Sequence, residues 1–236
     1  MKKRVFAIIL FAFALAMPML SKTYLVSVGV ADYPGDNMDL KKSANDARTM
    51  AKIYSSTKTA ETVLMLDKNA TIDDVMNKVK TVFAKAKVYD TVIFFFSGHG
   101  APGALAFYDG LLQYDKLFDA LKDCKASNKF IIADACYSGK IRKGKARTKK
   151  YNPQNIVFFL SSRTDEVSRE TGFSNGLFTM YLERGLRGGA DVNKDKTITA
   201  KEIYDFVHKG VVEIVDGKQH PVMWGNFNPN TPIIRW

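Results

Sequence analysis

Two continuous apolar runs dominate the hydrophobic pattern of this chain, and each ends abruptly at a polar, glycine-flanked segment. One run occupies residues 91–96 and leads into Ser97-Gly98-His99-Gly100. The other occupies residues 130–133 and leads into Asp134-Ala135-Cys136-Tyr137-Ser138-Gly139. Apolar runs without polar alternation are typical of strands that are buried on both faces, as in parallel sheets. Because ligands bind outside the carboxyl ends of such strands, the pattern predicts that His99 and Cys136 lie at the same edge of one sheet.

The rest of the pattern alternates short apolar strands with amphipathic helices. This order is typical of an α/β fold in which helices sandwich a mostly parallel sheet. Thr71 is the predicted N-cap of one helix, with Asp74 three residues later completing a box-like pattern. The other predicted strands are 22–30, 62–66 and 156–161, and the other predicted helices are 40–55, 114–122, 176–186 and 200–210.

Length and charge narrow the class of protein. The chain has 236 residues, of which 46% are hydrophobic, so it can bury the core of one globular domain. Its formal charge is +11, and seven of the basic side chains fall within residues 139–150, where there is no acidic residue. No aromatic residues are interleaved with these basic side chains, which argues against a nucleic-acid partner. An anion-binding surface at residues 139–150 stays open as an alternative.

The N-terminus has the pattern of a secretory signal. Lys2, Lys3 and Arg4 precede an apolar run over residues 5–16, and Ala14-Leu15-Ala16 resembles a cleavage site. We therefore expect residues 1–21 to be a signal peptide and the protein to be secreted, or held in the periplasm or cell envelope. The apolar run is too short for a comfortable membrane span. No stable membrane span is expected once the signal peptide has been removed. The alternative is an uncleaved membrane anchor.

The two cysteines, Cys124 and Cys136, could pair in an oxidising compartment. Our interpretation is that both are free thiols, with Cys124 a buried helix residue and Cys136 a nucleophile. The thiolate is the reactive form, and a nearby His99 would lower the thiol pKa and protonate a leaving amine. Backbone N–H groups of Gly100 and Cys136 would stabilise an oxyanion. Alternatively, Cys136 is a small buried apolar residue and His99 a satisfied turn residue.

The two motifs at 97–100 and 134–139 resemble those of the caspase-like cysteine peptidases (clan CD, peptidase family C14). They most resemble the metacaspase-type branch, whose motifs read S-G-H-G and D-x-C-x-S-G. The resemblance is to a bacterial secreted form of that branch. True caspases instead have Q-A-C at the cysteine. Further stretches that resemble the family are 26–33, 45–47, 161–168 and 176–182.

This resemblance implies a caspase-like fold with a mostly parallel central sheet of about six strands. It also implies one peptidase domain over residues 22–236, divided into a large-subunit-like part (22–138), a basic linker (139–152) and a small-subunit-like part (153–236). Self-cleavage in the basic linker is one expectation, because an enzyme that cleaves after basic residues would find its substrate there. The alternative is a solvated loop that is never cut.

The resemblance implies a cysteine endopeptidase with His99 as the base and Cys136 as the nucleophile. It places four residues in the pocket for the residue before the scissile bond: Ser43, Asp46, Ser97 and Asp134. Two carboxylates in one pocket favour a cation, so polypeptide substrates with Arg or Lys before the scissile bond are expected. Ser43 stands where the family often has cysteine. The alternatives are that the two aspartates have only local structural roles, and that the chain is a catalytically silent caspase-fold module that binds a peptide or partner.

Residues 191–202 resemble a single EF-hand calcium loop, although no cofactor is expected to be required for the chemistry. Lys196 replaces the glycine that usually eases the turn, so any Ca²⁺ binding should be weak. The alternative is that the loop has lost Ca²⁺ binding and has only a structural role in holding the last helix. The three histidines (His99, His208 and His220) are scattered along the chain without ligand spacing, which argues against a catalytic transition metal. The candidate Ca²⁺ ligands are Asp191, Asn193, Asp195, Thr197, Thr199 and Glu202.

Overall fold

The computed structural model describes residues 21–35, 37–135, 155–162 and 174–236. Residues 1–20 of the predicted signal peptide, Cys136 and all of the basic linker (139–152) lie outside the described residues. The strands are β1 (Thr23–Gly29), β2 (Ala60–Leu66), β3 (Thr91–Ser97), β4 (Gly100–Ala101), β5 (Ala104–Phe107), β6 (Gly110–Gln113), β7 (Asn128–Asp134), β8 (Ile156–Leu160), β9 (Thr197–Thr199), β10 (Val222–Gly225) and β11 (Pro232–Arg235). The helices are α1 (Ser43–Ser55), α2 (Ile72–Phe83), α3 (Tyr114–Lys122), α4 (Leu177–Arg184) and α5 (Ala200–Ile214).

A six-stranded sheet forms the centre of the molecule, with the strand order β10-β8-β7-β3-β1-β2. Strands β2, β1, β3, β7 and β8 pair in parallel, and only β10 at one edge is antiparallel to its neighbour. The predicted α/β architecture, with a mostly parallel sheet of about six strands, is therefore confirmed.

Helices cover both faces of this sheet, which explains why its strands are continuously apolar. Successive side chains of a strand point to opposite faces. Thus Phe94 and Phe96 of β3 pack in the core shared with α2 and α3, whereas Ile93 and Phe95 pack in the core shared with α1, α4 and α5. All seven residues of β3 are buried.

Two helices begin where the sequence predicts, although only the cap of the first, Thr71, was predicted. The Thr71 side chain accepts a hydrogen bond from the backbone N–H of Asp74 and caps α2. Thr199 and Glu202 form a reciprocal capping box at the start of α5. The helix predicted at residues 114–122 is α3, which has these same bounds.

The structure differs from the predicted elements in its short strands. The sequence predicts only a break containing glycine and proline at 100–103 and one short segment at 104–108. Residues 100–113 instead form a three-stranded antiparallel sheet, β4-β5-β6. Gly103 (φ 84°) and Gly110 (φ 151°) form its turns, in backbone conformations that favour glycine. The Pro- and Asn-rich tail contributes β10 to the main sheet and β11 to a pair with β9.

Cys124 is buried and is a free thiol, but it follows α3 instead of lying on a helix as predicted. Its Sγ donates to the carbonyl oxygen of Phe83, and burial raises the pKa of the thiol. Among the described residues, no helix combines the length and the apolar character needed to cross a membrane.

The register of the sheet aligns the carboxyl ends of three neighbouring strands. Gly29, the last residue of β1, pairs with Ser97 at the end of β3, and Ser97 pairs with Asp134 at the end of β7. The loops that follow these strands therefore leave the sheet side by side at one edge.

Candidate active site

The aligned strand ends place the two sequence motifs next to each other. The backbone N–H of Gly98 donates to the carbonyl oxygen of Asp134 at 3.2 Å, which joins the segments that follow β3 and β7. His99 stands two residues beyond Ser97, and Cys136 stands two residues beyond Asp134 in the sequence. Cys136 itself lies outside the described residues, so its distance from His99 stays a prediction.

The imidazole of His99 is held in one orientation by a backbone carbonyl. Its Nε2 lies 2.7 Å from the carbonyl oxygen of Met38, in the loop between β1 and α1. A carbonyl oxygen can only accept a hydrogen bond, so Nε2 carries the proton in this contact. The lone pair of the neutral ring is then on Nδ1, which is the nitrogen available to act as a base.

Tyr33 supports the backbone of His99 from the same loop. The Tyr33 hydroxyl accepts a hydrogen bond from the N–H of His99 at 2.9 Å and donates one to the carbonyl oxygen of Ala106 at 3.0 Å. The rings of Tyr33 and His99 also touch, with their centroids 4.9 Å apart. The tyrosine therefore fixes the histidine to the β4-β5-β6 sheet.

Replacing Tyr33 by phenylalanine is expected to destabilise the fold and to loosen His99, because it leaves the His99 N–H and the Ala106 carbonyl without their partner. An unsatisfied buried polar group costs about 1–3 kcal/mol. Tyr114→Phe is the matched control, because the Tyr114 hydroxyl is buried and has no hydrogen-bond partner within the described part of the chain. Thermal unfolding should show a lower Tm for Y33F and an equal or higher Tm for Y114F. Equal Tm values for Y33F and the wild type would contradict this role of Tyr33.

Asp46 is an almost fully buried carboxylate, with 2% of its surface exposed. It lies in the first turn of α1, whose apolar face packs on β1. The Ser97 hydroxyl donates to Asp46 Oδ2 at 2.8 Å, and the N–H of Gly176 donates to Asp46 Oδ1 at 2.9 Å. The carboxylate thus joins the end of β3 to the start of α4.

Asp134 is the second buried carboxylate, with 8% of its surface exposed. Its Oδ2 accepts hydrogen bonds from the Thr179 hydroxyl at 2.9 Å and from the Thr179 N–H at 3.3 Å. The latter donor is in the first turn of α4, where backbone N–H groups lack partners within the helix. We refer to Asp46 and Asp134 together as the acid pair.

The two members of the acid pair interact electrostatically. Burial raises the pKa of Asp46 well above its ordinary value, and the negative charge of Asp134 raises it further. Hydrogen bonds from Ser97 and Gly176 and the charge of Lys42 act in the opposite direction but do not reverse the shift. This buried site therefore disfavours two negative charges and would gain free energy from a nearby cation.

The structure brings together three of the four predicted pocket residues. Ser97 donates a hydrogen bond to Asp46, and Asp46 and Asp134 both accept hydrogen bonds from residues at the start of α4. The fourth, Ser43, is buried at the first position of α1, one turn before Asp46. Gly100, a predicted oxyanion donor, begins β4 directly after His99. Sequence reasoning missed Tyr33, Met38, Gly176 and Thr179. Tyr33, Gly176 and Thr179 had a signal, because they fall in stretches that resemble the caspase-like family, 26–33 and 176–182, whereas Met38 had none.

In the predicted calcium loop, side-chain oxygens accept hydrogen bonds from backbone N–H groups of the same loop. The side chain of Asp191 accepts hydrogen bonds from the N–H groups of Asp195 and Lys196. Lys196 adopts a positive φ of 64°, at the position where an EF-hand has glycine. Glu202 is engaged in the capping box of α5. Within the described residues, no group of three or more His, Cys, Asp or Glu side chains is arranged to hold a metal ion.

Calcium binding to this loop stays a prediction, and we expect it to be weak. For a dissociation constant of ~1 mM, ~10 mM Ca²⁺ would stabilise the fold by about 1.4 kcal/mol. Thermal unfolding with Ca²⁺, compared with Mg²⁺ at the same ionic strength, measures this effect. The shift should disappear in Asp191→Ala and persist in Glu183→Gln, which changes an acid outside the loop. An unchanged Tm of the wild type in Ca²⁺ would refute the expectation.

The histidines are less scattered than their sequence positions suggested. The rings of His208 on α5 and His220 lie with their centroids 6.3 Å apart. The sequence could not show this proximity, because it depends on how the segment after α5 turns back toward the sheet.

Comparisons with known proteins show the family of this chain and a structure of similar fold. The caspase domain family model (Peptidase_C14) matches residues 24–230. A crystal structure of a protein from Geobacter sulfurreducens is similar in fold, with a TM-score of 0.67 at 19% sequence identity, over 88% of this chain and 94% of that chain. No curated protein matches the chain. The family match covers nearly all of the described chain together with both sequence motifs, and the protein therefore belongs to the caspase-domain family of peptidases, C14.

Proposed function

We propose that this member of the family is a secreted cysteine endopeptidase that hydrolyses peptide bonds after Arg or Lys. The observation that carries the specificity is the acid pair, whose two carboxylates are buried at the carboxyl edge of the sheet. The observation that supports the chemistry is the orientation of His99, whose Nε2 is bound to a carbonyl while Nδ1 keeps its lone pair.

The proposed reaction is an acyl transfer to the sulfur of Cys136, followed by hydrolysis of the resulting thioester. The Cys136 thiolate attacks the carbonyl carbon of the scissile peptide, and the C–N bond breaks as protonated His99 gives its Nδ1 proton to the leaving amine. Water then attacks the thioester, His99 accepts a proton from that water, and the carboxylic product leaves with the thiolate regenerated. Backbone N–H groups of Gly100 and Cys136 are the proposed donors to the oxyanion.

The proposed preference for basic residues follows from charge. Lys42 lowers the pKa of Asp46 but does not reverse the upward shift that burial and the charge of Asp134 cause. An arginine side chain would supply a cation to these two carboxylates, with planar N–H donors that match carboxylate geometry. An aspartate side chain in the same place would add a third negative charge, so cleavage after Asp is disfavoured.

The proposed function is tested with fluorogenic peptides that differ only in the residue before the scissile bond: Arg, Lys, Asp or citrulline. Citrulline has the shape of arginine without its charge. The wild type should hydrolyse the Arg and Lys peptides, and Cys136→Ala should hydrolyse none. The basic linker is first cut with an added protease so that an uncleaved, latent form does not hide activity. If this cut wild type hydrolyses none of the four peptides, the chain is better described as a peptide-binding module.

We further propose that the basic linker, residues 139–152, is a site of self-cleavage, because its seven basic residues match the proposed specificity. Purified wild type should then separate into two fragments on a denaturing gel, whereas Cys136→Ala should stay intact. Cleavage of the Cys136→Ala chain at the same bonds would assign the cut to another protease.

A further inference from the structure

Gly176 occupies a special position beside the acid pair. It is the residue immediately before α4, and its N–H donates to Asp46 Oδ1 at 2.9 Å. A Cβ atom on Gly176 would lie only 2.6 Å from Asp134 Oδ2 and 3.2 Å from Asp46 Oδ2. Oxygens of both carboxylates thus lie within 3.2 Å of one point, which is where a side chain at position 176 would begin.

The backbone does not require glycine at this position. Gly176 has φ −56° and ψ 149°, a conformation that any L-residue adopts. A Cβ contact of 2.6 Å to a carboxylate oxygen is sterically forbidden, however, so the carboxylate would have to move. The physical role of the missing side chain is therefore to let the Asp134 carboxylate approach the start of α4 and reach the Thr179 donors.

We propose that Gly176 is a specificity-determining residue that positions the acid pair for a cationic substrate side chain. This inference rests on the proposed function and extends it to a residue that does not itself carry charge. Any side chain at position 176 displaces Asp134 Oδ2 from Thr179 and separates the carboxylate from the place where it would meet the substrate cation. The residue acts on the ground-state binding of the substrate, through Asp134, and leaves the reacting atoms alone.

Gly176→Ala is the informative substitution. It is expected to raise KM for the Arg peptide by roughly 10- to 100-fold with a small change in kcat, because it removes binding energy and not the reacting groups. The ratio of kcat/KM between the Arg and citrulline peptides should fall by a similar factor. The reaction of Cys136 with iodoacetamide, a small neutral reagent that needs no specificity pocket, should keep its wild-type rate.

Gly185→Ala is the matched control, because it makes the same change at the other end of α4. A Cβ on Gly185 would lie 2.5 Å from Ile203 Cδ1, so the crowding is equal, but the neighbour is an apolar side chain between α4 and α5. Gly185 also has a helical backbone, with φ −61° and ψ −52°. Overpacking at either site lowers the Tm, whereas only Gly176→Ala should lower the preference for Arg over citrulline.

A double-mutant cycle tests whether Gly176 acts through Asp134. If it does, Gly176→Ala in an Asp134→Asn background should add little to the loss of Arg preference, so the two effects should be strongly non-additive. Fully additive effects, or a Gly176→Ala variant that keeps the wild-type ratio of Arg to citrulline, would overturn the inference. Those outcomes differ from failure of the proposed function, in which the wild type itself shows no hydrolysis or no preference for Arg.

Discussion

Cys136→Ala is expected to reduce peptide hydrolysis by about four powers of ten or more, since removal of a nucleophile leaves only the contributions of binding and of the oxyanion donors. His99→Ala should cause a comparable loss, because His99 is the general base of the proposed mechanism. The two losses should not add, because the residues act as one unit. Steady-state hydrolysis of the Arg peptide, with each variant at the same concentration of folded protein, measures both.

Cys124→Ser provides the control for the cysteine substitution. Cys124 is buried after α3, its thiol pKa is raised by burial, and a serine hydroxyl can donate to Phe83 as the thiol does. Hydrolysis by Cys124→Ser should match the wild type within about twofold, a change well below those expected for nucleophile removal. Activity that survives in Cys136→Ala but disappears in Cys124→Ser would mean that the nucleophile has been assigned to the wrong residue.

Asp46→Asn is expected to lower kcat/KM for the Arg peptide by roughly 100-fold, because truncating one partner of a buried charge pair costs about 2–5 kcal/mol. The same substitution should stabilise the free protein by about 1 kcal/mol. Asparagine keeps an acceptor for the Gly176 N–H, and the Ser97 hydroxyl can rotate to accept from the new amide. Loss of affinity together with a raised Tm is the expected signature; a lowered Tm would mean that the charge of Asp46 supports the fold.

The pKa of Asp46 gives the same prediction a dependence on pH. Because this pKa is raised in the fold, the native state holds its proton more tightly than the unfolded chain, and stability falls as pH rises from 3.8 through the native pKa. The effect on substrate binding has the opposite sign, since the ionised acid pair attracts the cation. KM for the Arg peptide should therefore fall as pH rises through this range, while KM for the citrulline peptide should change little. A parallel response of both peptides would show that another group controls the pH dependence.

The long apolar strands made much of this arrangement predictable from the sequence. Parallel pairing of β3 and β7 brings their carboxyl ends to the same edge of the sheet, and the polar residue that ends each apolar run marks where the strand stops. Once the register is fixed, the ends of these strands and the residues after them must meet, so His99, Ser97 and Asp134 could be assigned to one edge. The prediction that Asp46 lies near Ser97 came from the resemblance to a family. Asp46 is on a helix, so the pairing of the strands does not determine where its side chain lies.

The contacts that orient these side chains could not be read from residue types. The Met38 carbonyl binds His99 across 61 positions, and the Tyr33 hydroxyl binds it across 66. The Gly176 N–H meets Asp46 across 130 positions. Two of these three partners are backbone groups, which every residue carries, so no sequence pattern marks them. The strands of the tail were missed for a related reason: β10 and β11 have four residues each and flank a Pro- and Asn-rich segment.

The pairing of β7 with β8 holds the two parts of the chain together without the segment that connects them. These neighbouring strands belong to different halves of the sequence, yet they pair from Lys129 opposite Ile156 to Ala133 opposite Leu160. The donors of α4, in the second half, also bind both carboxylates supplied by the first half. A chain broken between residues 135 and 155 would keep these contacts and remain one particle. The halves could thus be produced as separate complementing fragments. Affinity for a cationic ligand would report their reassembly, because the first fragment carries both carboxylates of the acid pair and the second carries their donors, Gly176 and Thr179.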